Sequence, residues 1–456
     1  MRGIYKCPVL LAGLLFAANL LAQDQPPEEK RFEIDLSELQ KEVDKAASKP
    51  YSLGGFFEFQ PITFGVDRDH AFAKLKFDLL RSGRTFQQYN FGLRLEGSYK
   101  KDIFSVFFQS ETFVQNQFVG WQEATKLLQG LISLRPNDNF SLEAGNKIFK
   151  WGKGYAWSPV AFVDRPKNPE DPEEIRQGYT VLNATWNQSF AGPLSNASLS
   201  AAAVPVWEHV NTDFGKPYHV NFASKLYLLY YDTDIDVTFL TGSSRTTRFG
   251  FDFSRNLSTN LEVHGEWARI NNFKLKTINA QGVPSSHQWD AVSYLLGLRY
   301  LTEQETTYIL EYYRNGTGIS PNQFEDFVTF VDNSYATYRN TGNRSGLVRA
   351  WQLAESVYGK PNPMEHYLYF RASQKEPFDI LYFTPALTTT INLQDGSFSV
   401  IPELTYSPTT NLELRFRTPV LIGWRGTEYG EKQNNYRVEF RLRYYFSLDS
   451  ILDSIF

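Results

Sequence analysis

One histidine in this sequence lies close enough to carboxylates for acid–base chemistry. His264 stands between Glu262 and Glu266 in the stretch LEVHGEW. Because apolar and polar residues alternate there, a β-strand would place all three side chains on its polar face. The sequence contains no GxSxG, HExxH, GxxxxGK[ST] or CxxC motif, and its six histidines show no metal-ligand spacing. We therefore interpret His264 as a water-facing residue and predict a protein that is not an enzyme and needs no metal or cofactor.

A row of carboxylates is the second candidate for chemistry. Asp232, Asp234 and Asp236 alternate with other residues in YDTDIDV, so a strand would carry all three on one face. Three carboxylates can bind Ca²⁺ or Mg²⁺. However, no glycine follows to turn a calcium loop, and the row would extend over about 13 Å along a strand. We predict an acidic stripe facing water rather than a metal site.

The stretch from Gly145 to Gly178 is the most specific in the chain. Gly152 and Gly154 permit positive φ among the aromatic residues of WGKGYAW, and prolines from Pro159 to Pro172 keep the following chain out of a β-ladder. A basic edge comes before an acidic one, and facing edges of this kind produce a transverse field. The basic edge is Lys147, Lys150 and Lys153; the acidic edge is Asp164, Glu170, Asp171, Glu173 and Glu174.

Such a long, stiff loop either caps a surface or folds inward and narrows a channel. The aromatic start favours a structured, inward element. The predicted constriction residues are Trp151, Lys153, Asp164, Arg165 and Asp171.

The elements that must position these residues are β-strands. From Ser52 onward, apolar and polar residues alternate in segments of about ten residues, the length that a tilted membrane strand needs. One face of these strands would meet lipid and the other a water-filled lumen. The predicted lumen and selectivity residues are Arg94, Lys147, Glu262, Glu266, Arg299, Arg415, Arg417, Arg441 and Arg443.

The connections between the strands alternate between short and long, which is typical of a transmembrane barrel with short periplasmic turns and longer outer loops. We expect long connections at about 150–177, 208–219, 271–288, 315–364 and 423–433. The stretch GLVRAWQLAESVYGK within 315–364 has helical spacing and predicts a short helix. The fold class is therefore all-β, a transmembrane antiparallel barrel of about 18 strands, with 16 as the second choice. A soluble sandwich or propeller would have shorter strands.

Composition and targeting agree with export. Residues 1–22 have the basic start and apolar run of a signal peptide, and residues 23–50 would form a periplasmic arm with an amphipathic helix. The barrel would occupy 51–446, followed by a periplasmic tail at 447–456. The formal net charge of −4 gives no nucleic-acid signature.

Two stretches resemble Gram-negative outer-membrane β-barrels. NYRVEFRLRYYF resembles the terminal strand of such barrels, in which alternating apolar residues lead to a final aromatic residue. The matching positions are Val438, Phe440, Leu442, Tyr444 and Phe446. The resemblance implies recognition by the barrel-assembly machinery, with the lipid bilayer and lipopolysaccharide as surroundings.

The second stretch resembles the G-x-[QK]-x-x-x-W-G … NP-x-D region of porin-like proteins akin to the alginate-export and phosphate-selective porins. The matching residues are Gly145, Lys147, Trp151, Gly152, Asn168, Pro169 and Asp171. This resemblance implies that the barrel can work beside a periplasmic or inner-membrane export partner.

The functional expectation is a channel in the outer membrane of a Gram-negative bacterium, through which small polar or charged solutes diffuse along a charged lumen. The alternative is a plugged transporter or exporter of lipid or apolar compounds, possibly paired with an inner-membrane exporter.

Overall fold

The computed structural model describes residues 49–77, 83–117 and 120–448. The predicted signal peptide, the helix of the arm and residues 449–456 of the predicted tail lie outside these residues, and Ser447, expected to begin the tail, is the last residue of β19. The described strands are β1 (Tyr51–Val66), β2 (Thr85–Lys101), β3 (Phe104–Gln117), β4 (Gly120–Asn137), β5 (Phe140–Lys147), β6 (Tyr179–Ser189), β7 (Leu194–Val206), β8 (His219–Tyr230), β9 (Thr233–Gly242), β10 (Arg248–Ser258), β11 (Leu261–Ile278), β12 (Pro284–Leu301), β13 (Thr306–Arg314), β14 (His366–Gln374), β15 (Phe383–Asn392), β16 (Phe398–Thr409), β17 (Leu412–Arg417), β18 (Val420–Ile422) and β19 (Asn434–Ser447).

These strands form one closed antiparallel sheet. Each strand pairs with its neighbour in sequence, and β1 also pairs with β19 over Gly54–Val66, which closes the barrel. β17 and β18 both pair with β16 and β19, so they are two segments of one barrel strand. The break falls at Thr418–Pro419, where proline has no amide hydrogen to donate to the ladder. The predicted barrel of 18 strands is confirmed.

The outer face of the barrel is apolar and the inner face is polar, as the alternation predicts. In β12 the outward side chains of Leu296, Leu298 and Tyr300 are exposed. In β19 Phe440 is 38% exposed, whereas its neighbour Glu439 is buried inside at 4%. A one-residue shift of register would exchange the two faces, so the charged residues of the lumen fix the register of each strand.

The two ends of the barrel differ in their connections. One end, which we call the turn end, carries mostly two- to four-residue turns such as 138–139 and 259–260; the other, the loop end, carries the long connections. The expected long connection at 271–288 is wrong. β11 runs to Ile278 and β12 begins at Pro284, with a bulge between Ile270 and Phe273 that absorbs the polar residues there.

Three helices lie at the loop end: α1 (Ala71–Phe77), α2 (Pro321–Thr341) and α3 (Ser345–Leu353), the last of which continues into a π-helical turn at Ala354–Tyr358. The helix predicted in GLVRAWQLAESVYGK corresponds to α3 and this turn. α2 begins with a capping box, in which Ser320 and Gln323 bond each other's backbone amides. None of the described helices is both long and apolar enough to cross a membrane.

Candidate functional site

The connection between β5 and β6, residues 148–178, folds into the lumen and contacts two distant parts of the barrel wall. We call it the crossing segment. It enters from β5 and β6, bonds to β11 and β13, and bonds again to β17 and β19. In the strand order, these three regions are each about a third of the circumference apart. The segment therefore spans the lumen, as the inward interpretation of WGKGYAW predicted.

Glu266 on β11 anchors the first half of the crossing segment. Its carboxylate accepts hydrogen bonds from the backbone amides of Lys153 and Gly154, both at 2.6 Å, and from that of Val160 at 3.3 Å. The hydroxyl of Ser158 also lies within 3.2 Å of it. Glu266 is only 3% exposed. It faces the lumen, as predicted, but its charge is used to hold the segment.

Glu311 on β13 is a second anchor of the same kind. It is fully buried and accepts bonds from the amides of Tyr155 and Ala156. His264 lies 2.9 Å from Glu311 through Nε2 and 3.6 Å from Glu262 through Nδ1. The candidate acid–base residue is therefore part of this support.

Two apolar cores fix the first half of the segment against the wall. In the first, Trp151, at 3% exposure, lies with Val160 and Phe162 against inward residues of β6 to β11. In the second, Trp157 stacks on Tyr313 with ring centres 5.1 Å apart, in a cluster that includes α2 and the end of α3. Burial of this extent makes residues 149–163 a rigid part of the barrel interior.

The local geometry of this half depends on one glycine and one aspartate. Gly152 has φ of +89°, and a Cβ there would lie 1.8 Å from the Ser158 hydroxyl. Asp164 accepts bonds from the amides of Phe149, at 2.9 Å, and Trp151, at 3.0 Å. The expectation of positive φ at Gly154 is wrong; residue 154 must be small because a Cβ would lie 2.2 Å from the carbonyl oxygen of Trp157.

The second half of the segment presents two carboxylates to the arginines of β17 and β19. Asn168 accepts a bond from the amide of Glu170 through its side chain and one from that of Asp171 through its carbonyl, so NPED forms a turn. Glu170 lies 2.8 Å from Arg437, and Asp171 lies 3.1 Å from Arg415 and 3.5 Å from Arg417.

Burial alone would raise the pKa of both carboxyl groups, but the adjacent guanidinium groups outweigh it. Arg437 and Arg417 lower the pKa of Glu170, and Arg415 and Arg417 lower that of Asp171. Both groups are therefore carboxylates at neutral pH.

Between this contact and the turn end, further ion pairs line the same side of the barrel. Arg443 lies 2.7 Å from Glu58 on β1, and Arg441 lies 2.7 Å from Glu413 on β17. Arg94 on β2 pairs with Glu111 at 2.6 Å. The inward face of β17, β19, β1 and β2 is therefore a continuous charged wall.

Three cavities lie along the second half of the segment. Successive residues of the segment line them in order from the loop end to the turn end. Glu170 lines a loop-end cavity of about 450 Å³, together with Tyr429 and Arg437. Asp171 lines a space of about 20 Å³ between Arg415, Arg417 and Gln60. Glu173 and Glu174 line a cavity of about 500 Å³ on the turn side, whose wall includes Glu262 and Arg299. The smallest of the three spaces is therefore at Asp171.

The remaining predicted residues lie away from this point. Lys147 pairs with Glu143 on its own strand, and Lys153 pairs with Asp236 on β9 at 3.2 Å. Arg165 pairs with Asp213 at 2.9 Å, in the connection between β7 and β8. Lys147 and Lys153 thus pair with acidic residues of the wall. Lys150 and Lys153 line the same cavity as Glu173 and Glu174, and the expected transverse field stays a prediction.

The carboxylate row on β9 does not form a common site. Asp232 lies in the turn before the strand, Asp234 accepts a bond from the Tyr227 hydroxyl at 2.5 Å, and Asp236 pairs with Lys153 and Lys225. Each carboxylate has different surroundings, and the expectation that one strand face carries all three is wrong because Asp232 precedes β9.

Sequence reasoning missed several residues of this site. Arg437 and Glu403 are inward by the same alternation that identified Arg441 and Arg415, so that pattern could have found them. Glu311 was missed, and Glu170 was expected only as part of the acidic edge, because the role of each depends on contacts between residues far apart in the chain.

Comparison with known proteins identifies the fold. No protein-family model and no curated protein matches the sequence. Among solved structures, the barrel resembles Wzi, an outer-membrane protein of Escherichia coli, with a TM-score of 0.51, 10% identity, and coverage of 93% of this chain and 90% of Wzi. It also matches OccK11 (OpdR) of Pseudomonas aeruginosa, with a TM-score of 0.49, 10% identity, and coverage of 87% and 96%. For OprD of the same organism the TM-score is 0.47 and the identity is 11%, with coverage of 87% of this chain and 95% of OprD.

The sequence resemblance of the stretch from Gly145 to Asp171 to alginate-export and phosphate-selective porins is only a loose analogy. Together with the closed sheet and its apolar outer face, the likeness to Wzi shows that this chain has the fold of the porin-like outer-membrane β-barrels.

Proposed function

We propose that this barrel is a substrate-selective channel of the Gram-negative outer membrane, which passes small charged solutes by diffusion. The observation that carries the proposal is the division of the lumen by the crossing segment. Its first half packs into apolar cores beside β6–β14, whereas its second half faces the charged wall of β17, β19, β1 and β2. A solute would pass along this wall, between the cavities on either side of Asp171.

The linings of the two large cavities favour polar over apolar cargo. The turn-side cavity contains Lys150, Arg176 and Glu262, and the loop-end cavity contains Glu428 and Lys432. An apolar molecule in these cavities would contact charged groups instead of apolar side chains. It would therefore not gain the free energy of burial against apolar surface. These linings therefore disfavour the alternative of a lipid or apolar-compound exporter.

The experiment that tests the proposal is conductance of the purified protein in planar bilayers. We expect discrete steps with potassium chloride, smaller than those of a wide porin because the crossing segment spans the lumen. Charged solutes should enter proteoliposomes faster than uncharged ones of equal size. Complete absence of both conductance and solute entry would contradict the channel.

A second candidate is a closed barrel that binds carbohydrate at its loop end. Wzi is described as a carbohydrate-binding β-barrel, and this chain shares its fold. The loop-end cavity of about 450 Å³ is large enough for a sugar unit and places Asn362, Glu428 and Gln433 around it. Saccharide binding by a protein that does not conduct would favour this candidate.

A further inference from the structure

The two halves of the crossing segment are held by different forces. Residues 149–163 contribute to two apolar cores, whereas none of residues 166–176, all of which the structure describes, belongs to either core. The second half is therefore held by ion pairs and hydrogen bonds rather than by apolar packing, chiefly by the contacts of Glu170 and Asp171 with arginines.

The arginines that receive these two carboxylates, Arg415, Arg417 and Arg437, form one group with Arg371. We call Arg371, Arg415, Arg417 and Arg437 the arginine cluster. Two glutamates of the wall join its members: Glu403 lies 3.5 Å from Arg371 and 2.5 Å from Arg415, and Glu439 lies 3.0 Å from Arg417 and also contacts Arg437.

Glu170 and Asp171 bring two negative charges to this group, in which four arginines face two wall glutamates. Lys432 and Arg441 add further positive charge around the same two carboxylates. Withdrawal of the segment would leave positive charge uncompensated inside the barrel, where an unpaired charge is costly.

Asp171 and Glu170 have the geometry of a bound ligand. Each carboxylate is held by guanidinium groups, which are suited to charge-assisted, two-point recognition of carboxylates. They are adjacent in the chain and are presented by the turn that Asn168 stabilises. The segment thus places one carboxylate in the smallest of the three spaces and the other in the adjacent loop-end cavity.

We propose that Glu170 and Asp171 are built-in counter-ions that occupy a site for small dicarboxylate solutes and close the channel when no solute is present. A solute with two carboxylates competes for the arginine cluster, displaces residues 168–174 and passes along the wall. This inference rests on the proposed channel function and names its substrate class and its closing contact.

The test compares wild type with the double variant Glu170→Gln/Asp171→Asn. The control is Glu303→Gln/Glu305→Gln, which removes two charges at exposed residues of the turn between β12 and β13, outside the crossing segment and the three cavities. In planar bilayers with a potassium chloride gradient, we expect the double variant to conduct several-fold more and to shift its reversal potential toward that of chloride. The control should behave as wild type.

Succinate is the probe for the site itself. Succinate should raise the unfolding temperature of the double variant in detergent, because a ligand that binds the folded state stabilises it. Acetate should do so more weakly, and addition of Arg417→Gln should remove the effect.

The outcomes separate this inference from the function on which it rests. If neither wild type nor variants conduct, the channel proposal fails, and the unfolding measurement still decides whether the cluster binds succinate. If the variant conducts without a shift toward chloride, or if succinate stabilises it no more than acetate, the inference is wrong. Native mobility on unheated gels verifies that each variant is folded.

Discussion

The carboxylate of Asp171 lies 3.1 Å from the guanidinium of Arg415, although the first residue belongs to the connection after β5 and the second to β17. In the strand order, these elements are about a third of the circumference apart, so the contact spans the lumen. It lies between the two large cavities, at the smallest of the three spaces. In the proposed channel, a contact in this place would control passage more directly than a charge along the wall.

The response to pH follows from the lowered pKa values of Glu170 and Asp171. Because the arginines favour the charged forms, both groups stay ionised below the ordinary values of about 4.3 and 3.9. The contact is therefore complete above these ordinary values and is lost as the pH falls through the lowered ones. We expect conductance to be constant from about pH 8 to about pH 5 and to rise in more acidic solution.

Conductance in planar bilayers at stepped pH provides the measurement. The charged and titratable groups that face the two carboxylates are Glu403, Arg415, Arg417, Lys432, Arg437, Glu439 and Arg441. The variant Glu170→Gln/Asp171→Asn should lack most of the acidic rise. A step in wild-type conductance between about pH 7 and about pH 5 would mean that another group controls the path.

Replacement of Glu266 by alanine should release the first half of the crossing segment. The amides of Lys153, Gly154 and Val160 would lose their acceptor inside the barrel. Each buried donor left without a partner costs about 1–3 kcal/mol. We expect faster proteolysis within residues 148–178 and noisier channel currents.

The control for this change is Glu305→Ala at the turn end, where the carboxylate is exposed and its contact with Lys375 is long, at 4.0 Å. This variant should match wild type in both measurements. Equal protease resistance of Glu266→Ala and wild type would show that the apolar cores alone hold the segment.

Gly152→Ala tests the tight geometry at the start of the crossing segment. An alanine there meets both an unfavourable φ of +89° and the Ser158 hydroxyl at 1.8 Å from its Cβ. Gly192→Ala is the matched control, because Gly192 also has positive φ, +118°, but no atom within 4 Å of a Cβ. We expect Gly152→Ala to lower the unfolding temperature clearly more than Gly192→Ala. Equal effects would mean that backbone conformation, and not the contact with Ser158, decides the cost.

The sequence could predict the barrel because each strand carries its own signal. Alternation in a stretch such as Asn434–Phe446 identifies which side chains face inward without knowledge of any other strand, so the inward positions of Arg441 and Arg443 follow directly. The signal fails where polar residues continue a strand beyond the apolar band, as in Phe273–Trp289, which was expected to be a loop.

The site was harder to predict than the barrel because it depends on pairs of distant residues. Alternation places Glu266 and Glu262 on the same face of β11. Only the position of the crossing segment makes Glu266 an anchor, whereas Glu262 lines a cavity. Helix α2 did carry a local signal: Ser320, Pro321 and Gln323 form the start of a capped helix, and this signal was overlooked.

The assignment of the two faces can be tested at a single depth with consecutive residues of β7. Leu199 faces outward and is 47% exposed, and Ser198 faces inward, in register with Tyr227 on β8. An arginine that faces lipid near the bilayer midplane costs about 2–4 kcal/mol, whereas an inward arginine stays in contact with water and with Asp234, which bonds Tyr227. Leu199→Arg should therefore fold less completely into vesicles than Ser198→Arg, as measured by heat-modifiable mobility on gels and by urea unfolding. If the order of the two variants were reversed, the register of β7, and with it the inward position of its neighbours, would be wrong.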